Sequence, residues 1–311
     1  MKQFLLRIPL PLSGVALGTA ALGSLLQNYS DSIPPVCGVL AAVILSLVLL
    51  KYLWVPAAFR KDMNDPVLAG VAGTFTMALM ILSTYLEPYS SEAEFGLWLA
   101  ALLLHGALMV YYTVRFVRNA GLRDVLANYY IVYVGIAAAA VTAPVFGSQE
   151  IAAAAFWIGF TAFLIVFLPI TVRYVRFPEV PDAVKPLICI YAAPASLCLT
   201  AYIETITPVS PEFVIGLYIA ACLFYLFALY KVISYRNLPF YPSYAAFTFP
   251  FVIAATASTQ VTSYLETFTG CALPLMEGVV LMQTGVAVVL VGYVLLRYLL
   301  FFLKRTPVGN K

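Results

Sequence analysis

An all-helical fold embedded in a membrane is predicted by three features of the sequence. Hydrophobic residues make up 63% of the chain and charged residues only 10%, where a water-soluble domain carries about 25% charged residues. The apolar residues gather into stretches of about 20, the length a helix needs to cross the hydrocarbon core. The charges lie at the ends of those stretches, with basic and acidic residues segregated to opposite ends. The net charge of +3 is too small to point to nucleic acid, and no connection between stretches is long enough for a second domain. Residues 1–311 are therefore read as one transmembrane domain.

Ten spans can be placed, at 8–27, 35–56, 66–86, 95–115, 127–147, 151–172, 185–205, 212–232, 243–263 and 277–302. Lys2 and Arg7 precede the first. Lys51, Arg60 and Lys61 mark the second-to-third connection, and Arg115, Arg118 and Arg123 the fourth-to-fifth. Arg173, Arg176 and Lys185 mark the sixth-to-seventh, and Lys231 and Arg236 the eighth-to-ninth. Arg297, Lys304, Arg305 and Lys311 close the chain. All 17 basic residues thus fall on one side, which the positive-inside bias makes cytoplasmic, with both termini there. Asp31, Glu87, Glu92, Glu94, Glu150, Glu204, Glu212, Glu266 and Glu277 fall on the other. No Lys or Arg is expected inside a span, and no cleavable leader, because Pro9 and Pro11 interrupt the first apolar run.

The odd-numbered spans repeat. They begin near 8, 66, 127, 185 and 243, at intervals of 58, 61, 58 and 58 residues, each followed by a more uniformly apolar partner. That makes five helical hairpins, about 8–56, 66–115, 127–172, 185–232 and 243–302. Some eight residues into each odd span stands a Gly or Pro: Ser13-Gly14, Ala72-Gly73, Val134-Gly135, Ala193-Pro194 and Phe249-Pro250. Such residues bend or weaken a helix, and the even spans show no equivalent mark. Five bent helices most simply form an inner ring in quasi-five-fold arrangement around a central pore, with five straighter ones outside. Four of the aligned positions, Ser13, Ala72, Val134 and Ala193, are small; only Phe249 can reach across the axis. An apolar constriction of that kind closes a pore sterically or by dewetting.

Eleven residues further along each helix, about 16 Å at 1.5 Å per residue, stand Ser24, Ser83, Val145, Glu204 and Gln260. Four of the five are polar and predict a wetter outer vestibule, to which Thr76, Thr200 and Thr256 add hydroxyls. The commonplace reading of Phe249 is core packing, and that of Glu204 an interfacial carboxylate. His105, the single histidine, is read as an interhelical hydrogen-bonding group ahead of a proton relay. Trp54, Trp98, Tyr111 and Tyr112 are read as interfacial anchors. The five cysteines show no CxxC and no His partners at metal spacing, so neither a disulfide nor a metal site is expected, and no cofactor.

The opening PLPLSGVALG (Pro9–Gly18) and the segment AFTFPFVIAATAS (Ala246–Ser258) resemble the tellurite-resistance/dicarboxylate transporter family. It includes TehA-like bacterial proteins, fungal malate and sulfite transporters and plant slow anion channels. The resemblance implies five hairpins around a pore in each subunit, a homotrimer, and a pore-occluding phenylalanine at the place Phe249 holds in TFP. Together with the residues it predicts an anion channel or facilitator of the plasma membrane, surrounded by lipid. Tight anion binding is not expected, since fast conduction needs weak sites. The alternative in transport is a proton-coupled carrier of C4-dicarboxylates, or an exporter of tellurite or sulfite. Coupled carriers place ionisable groups at mid-membrane, and here only His105 qualifies. An enzyme is not expected, because no Ser/His/Asp set, metal cluster or phosphate loop occurs; a non-conducting scaffold leaves the graded kinks unexplained.

Overall fold

The computed structural model describes residues 2–304, which are helical almost throughout and hold no strand. Arg305 and Lys311 lie outside the described residues, as does the Lys2 side chain. The α-helices are α1 (Lys2–Leu6), α2 (Leu12–Leu26), α3 (Ile33–Trp54), α4 (Pro56–Met63), α5 (Pro66–Val71), α6 (Gly73–Thr84) and α7 (Ser91–Tyr112), then α8 (Asn128–Val134), α9 (Ala137–Thr142), α10 (Gln149–Arg176), α11 (Ala193–Thr205), α12 (Pro211–Ser234), α13 (Phe249–Thr269) and α14 (Pro274–Leu303). The 3-10 segments Lys185–Ala192 and Pro242–Phe247 lead into α11 and α13. Starts are chemically defined. Pro occupies the first helical position of α4, α5, α12 and α14, where its missing N–H is no loss. Asp65 accepts from the amides of Val67 (2.8 Å) and Leu68 (2.9 Å), and Ser90 and Ser210 cap α7 and α12.

Among the described residues, eight helices are long and apolar enough to cross a membrane, or nine if the bent pair around Gly135 is one span. The first expected span, 8–27, departs from the sequence reading. Pro9 and Pro11 delay its helix to Leu12, so α2 is apolar but only 15 residues long. Bends interrupt the chain where inner helices were expected to weaken. α5 gives way to α6 at Ala72, α8 and α9 meet at 54°, and 3-10 turns to α-helix at Ala193 and around Thr248. One expectation is corrected: Gly159 of α10 and Gly285 of α14 stand eight residues into even spans, the depth marked in the odd ones, and α10 also carries Pro169 further along, yet both helices run unbroken. A helix-breaking residue in an even span is thus accommodated without a break.

Two populations of helix emerge from burial. In the apolar windows of Pro66–Thr84, Lys185–Thr205 and Pro242–Thr269, 67%, 94% and 83% of residues are buried. In those of α3, the α7 span, α10, α12 and α14 the share is only 22–33%. A helix apolar all round and covered all round belongs to the interior; one showing a long apolar face has lipid as its solvent. Val39, Leu103, Ile165, Leu223 and Val289, one from each of the latter five, are 61–68% exposed.

The buried helices touch in a closed cycle: α2 packs on α6, α6 on α9, α9 on α11, α11 on α13, and α13 again on α2. Each exposed helix leans on the buried helix before it and on the next buried segment after it; α3 packs on both α2 and α6, and α14 on both α13 and α2. Small residues make the close approaches possible, above all Ala137–Ala140 on α9, all buried. Among the exposed helices, α10 and α12 carry both an acidic first turn and a basic last turn, α7 and α14 the acidic one and α3 the basic one. Glu92, Glu150, Glu212 and Glu277 sit in first turns, and Lys51, Arg173, Arg176 and Lys231 in last turns.

The expectation that no Lys or Arg lies inside a span is corrected in the same stroke. Lys51, Arg173, Lys231 and Arg297 are within helices, because the helices continue past their most apolar windows at the basic end. Lys51 is buried there and donates to Asp62 at 2.7 Å, joined by Tyr52 at 2.9 Å. Two anchors are also corrected. Trp98 is fully buried and donates to Thr142 Oγ1 at 2.9 Å, and Tyr112 is buried with its hydroxyl on Pro66 O at 3.1 Å. Trp54 and Tyr111 remain exposed.

Candidate functional site

The bends bring one residue of each buried helix to a common region within the cycle. A narrow cavity lies there, with about 50 Å³ of space open to the centre of a water molecule, room for a few waters. Gly14, Val134, Gly135, Ala193, Pro194, Phe249 and Pro250 line it, together with Leu17, Thr74, Met77, Leu187, Ile190 and Leu197. Among the described residues, no Lys, Arg, Asp or Glu lines it. Ser13, Ala72 and Gly73 are not on its wall. Ser13 is buried, its hydroxyl turned sideways onto Leu10 O (2.8 Å) and Thr74 Oγ1 (2.7 Å). Ala72 is the break residue itself, and Gly73 faces Ile131 of α8.

Toward the acidic end lies a much larger space, about 820 Å³ by the same measure. It takes in Ser24, Ile81, Thr84, Ala138, Thr142, Val145, Ile253 and Thr256, and it opens sideways along α3. The charged residues on its wall are Asp31 and Glu87. Two residues border both spaces, Phe249 and Leu197. Both are nearly inaccessible, Phe249 at 5% and Leu197 at 2% exposure. An aromatic ring and a leucine therefore separate the small apolar cavity from the large one.

The expected outer polar face is only partly assembled. Ser24 and Thr256 stand on the larger space. Ser83 is buried with its hydroxyl on Met80 O at 2.7 Å, and Thr200 is fully buried with Oγ1 unpartnered. Glu204 and Gln260 hold each other, the amide donating to the carboxylate. Neither lines the large space. Thr76 is spent on neighbours: its hydroxyl meets Gly73 O at 2.9 Å and His105 Nδ1 at 2.6 Å. His105 Nε2 lies 3.1 Å from Val132 O, so both ring nitrogens are engaged between helices and the imidazole is away from either cavity.

Leu197 is the residue the sequence reading missed. Counting one further turn along each aligned helix gives Leu17, Thr76, Ala138, Leu197 and Ile253. Three of these are large and aliphatic: Leu17 lines the small cavity, Ile253 the large one and Leu197 both. The repeat alignment carries that signal one turn beyond the depth of the small positions.

A family model described as SLAC1, voltage-dependent anion channel, matches residues 7–299. That span covers every helix of the closed cycle and both residues shared by the two cavities. No curated protein matches the chain.

Proposed function

The chain belongs to the SLAC1 family of voltage-dependent anion channels, and from that premise we propose that it conducts anions along the axis of the α2–α6–α9–α11–α13 cycle through a pore closed by Phe249. The chain is a multi-pass membrane protein and an anion channel or transporter. The finer reading has ten membrane-crossing segments forming five hairpins, α2 being the short one. Both termini are cytoplasmic, and the host membrane is the plasma membrane. The observation that carries it is the shared wall: Phe249 borders both cavities, and its ring is the largest side chain on that wall.

The chemistry favours conduction over tight binding. The inner cavity offers an anion no cation, so an ion crossing it is held only by hydroxyl and backbone dipoles, and weak sites release quickly. His105, the group a proton-coupled dicarboxylate carrier would use, is engaged through both nitrogens and lines neither cavity. Channel activity is accordingly the preferred reading. The resemblance brings with it three subunits with one pore each, which native mass measurement in mild detergent checks. Purified protein in a planar bilayer, compared in chloride, nitrate and malate, tests the function. Saturable, proton-dependent malate uptake without single-channel currents would replace the channel by a carrier.

A further inference from the structure

We propose that the Thr248 hydroxyl, seated on the Gly14–Gly18 groove of α2, is a positioning group that holds the Phe249 ring across the axis. Loosening this clamp then opens the pore while the ring is still present. The proposal rests on the reading of Phe249 as the gate and assigns what keeps that gate shut.

Three features of the hinge support it. Thr248 stands between the 3-10 segment Pro242–Phe247 and α13, with φ −100° and ψ −92°, outside helical geometry. A threonine at a helix N-cap ordinarily turns its oxygen onto the amides of the first turn. Here it makes no such cap bond, and the amides of Phe251 and Val252 are taken by the Thr248 carbonyl at 3.1 and 3.3 Å. The hydroxyl is free to donate elsewhere. Its single proton is shared between Ala245 O at 2.7 Å and, across 234 residues of chain, Gly14 O at 3.0 Å. Thr248 is fully buried, so this bond forms in an apolar setting where no water competes.

The second feature is the fit of α2. A methyl group added at Gly18 would come within 2.5 Å of the Thr248 side chain and 2.8 Å of the Phe249 amide nitrogen. One turn earlier, a methyl at Gly14 would stand 3.2 Å from Ala245 Cβ. Two glycines four residues apart thus form a groove that takes the hinge backbone, as small residues do between membrane helices. The third feature is its uniqueness in the repeat. The equivalents of Thr248 are Leu12, Val71, Tyr133 and Ala192, and the Tyr133 hydroxyl turns outward to Thr113 at 2.7 Å. The clamp occurs on the one buried helix that carries the ring, one residue from it.

The test measures nitrate flux in proteoliposomes for Thr248→Val, Thr248→Ser, Phe249→Ala and the double variant Thr248→Val/Phe249→Ala. Thr248→Val keeps the shape and removes the hydroxyl. It should raise flux about fivefold, the effect of one net hydrogen bond of about 1 kcal/mol at 1.4 kcal/mol per tenfold. Thr248→Ser should remain at the parent level, and the double variant should match Phe249→Ala, because the hydroxyl acts only through the ring. If Thr248→Val does not assemble, Thr248→Ala carries the same expectation. An assembled hydroxyl-free variant with parental flux, beside a leaky Phe249→Ala, overturns the clamp and leaves the gate standing; so does additivity in the double variant. A Phe249→Ala that does not leak removes the gate reading itself. Failure of both hydroxyl-free variants to assemble assigns the hydroxyl to folding and overturns the proposal.

Discussion

Replacing Phe249 by alanine separates a gate from a core residue, because the two readings predict opposite signs in two measurements. Phe249 is 95% covered by protein, yet it borders two cavities, of about 50 Å³ and about 820 Å³. Deleting a buried Phe costs about 3–5 kcal/mol when the site becomes a closed void, rising with the residual cavity volume. If the ring divides a pore, the space it leaves joins two existing cavities and fills with water, so the cavity contribution is small. The expected loss is then near or below the low end of that range. Conductance should rise by about tenfold or more, equivalent to about 1.4 kcal/mol off the barrier. It should not reach the unrestricted limit, because Leu197 still borders both spaces; Phe249→Ala/Leu197→Ala should conduct more than either single variant. Chloride or nitrate efflux from proteoliposomes and thermal unfolding are read on one preparation. A variant destabilised by about 3–5 kcal/mol with parental flux would refute the gate.

Other outcomes follow from the same geometry. Cysteines introduced beside Glu92 and Glu212 should label from outside the cell and those beside Arg60 and Arg176 should not; the reverse pattern overturns the orientation. On the sequence reading the basic end carries 17 basic and five acidic residues, while Asp31 and Glu87 are the charged residues on the wall of the larger cavity. Raising salt should therefore reduce any preference for outward anion flux, since fields fade within about 8 Å at physiological ionic strength, and salt-independent rectification would leave the asymmetry as a topology signal alone. Lys51→Met strands Asp62, whose side chain is 13% exposed. It should cost about 3 kcal/mol, the low end for a broken buried pair because Tyr52 still donates. Lys51→Met/Asp62→Asn should recover most of that in thermal melts, and equal losses in both would deny the pair its role.

What the sequence disclosed and what it withheld divide along physical lines. Helix existence and the alternation of charge were legible because hydropathy and end charges are one-dimensional signals set by the bilayer. The interior depths were legible because a repeat of about 58 residues aligns five helices without coordinates. Side-chain direction was not. Ser13, Thr76 and Ser83 lie on the aligned helices, yet each hydroxyl bonds to a carbonyl three residues back. A Ser or Thr hydroxyl in an apolar interior commonly bonds a carbonyl of the preceding turn, as Thr248 does on Ala245 while reaching Gly14 besides. Trp98 and Tyr112 were misread for a related reason. A ring with one polar atom suits the membrane interface, but it suits equally a packed contact with a partner across it, here Thr142 and Pro66.

Leu197 shows the sharper limit. Ranking positions by size at one depth finds the largest ring and treats it as the whole barrier. A pore is closed by the narrowest layer along its length, however, and side chains on bent helices do not stay at the depth of their own Cα. The Phe249 ring reaches the layer that Leu197 occupies one turn further along a neighbouring helix, which is why both border the same two cavities. Under the proposed gate the barrier belongs to a pair of helices, α11 and α13, packed directly on each other. Since the Thr248 hydroxyl also meets Gly14 O of α2, a rotation of α13 that withdrew the Phe249 ring would strain the seat on α2 as well. If Phe249 is the gate, opening is a choice between two packings of α13, with control at helix contacts and not at charges on the inner cavity, which no Lys, Arg, Asp or Glu among the described residues lines.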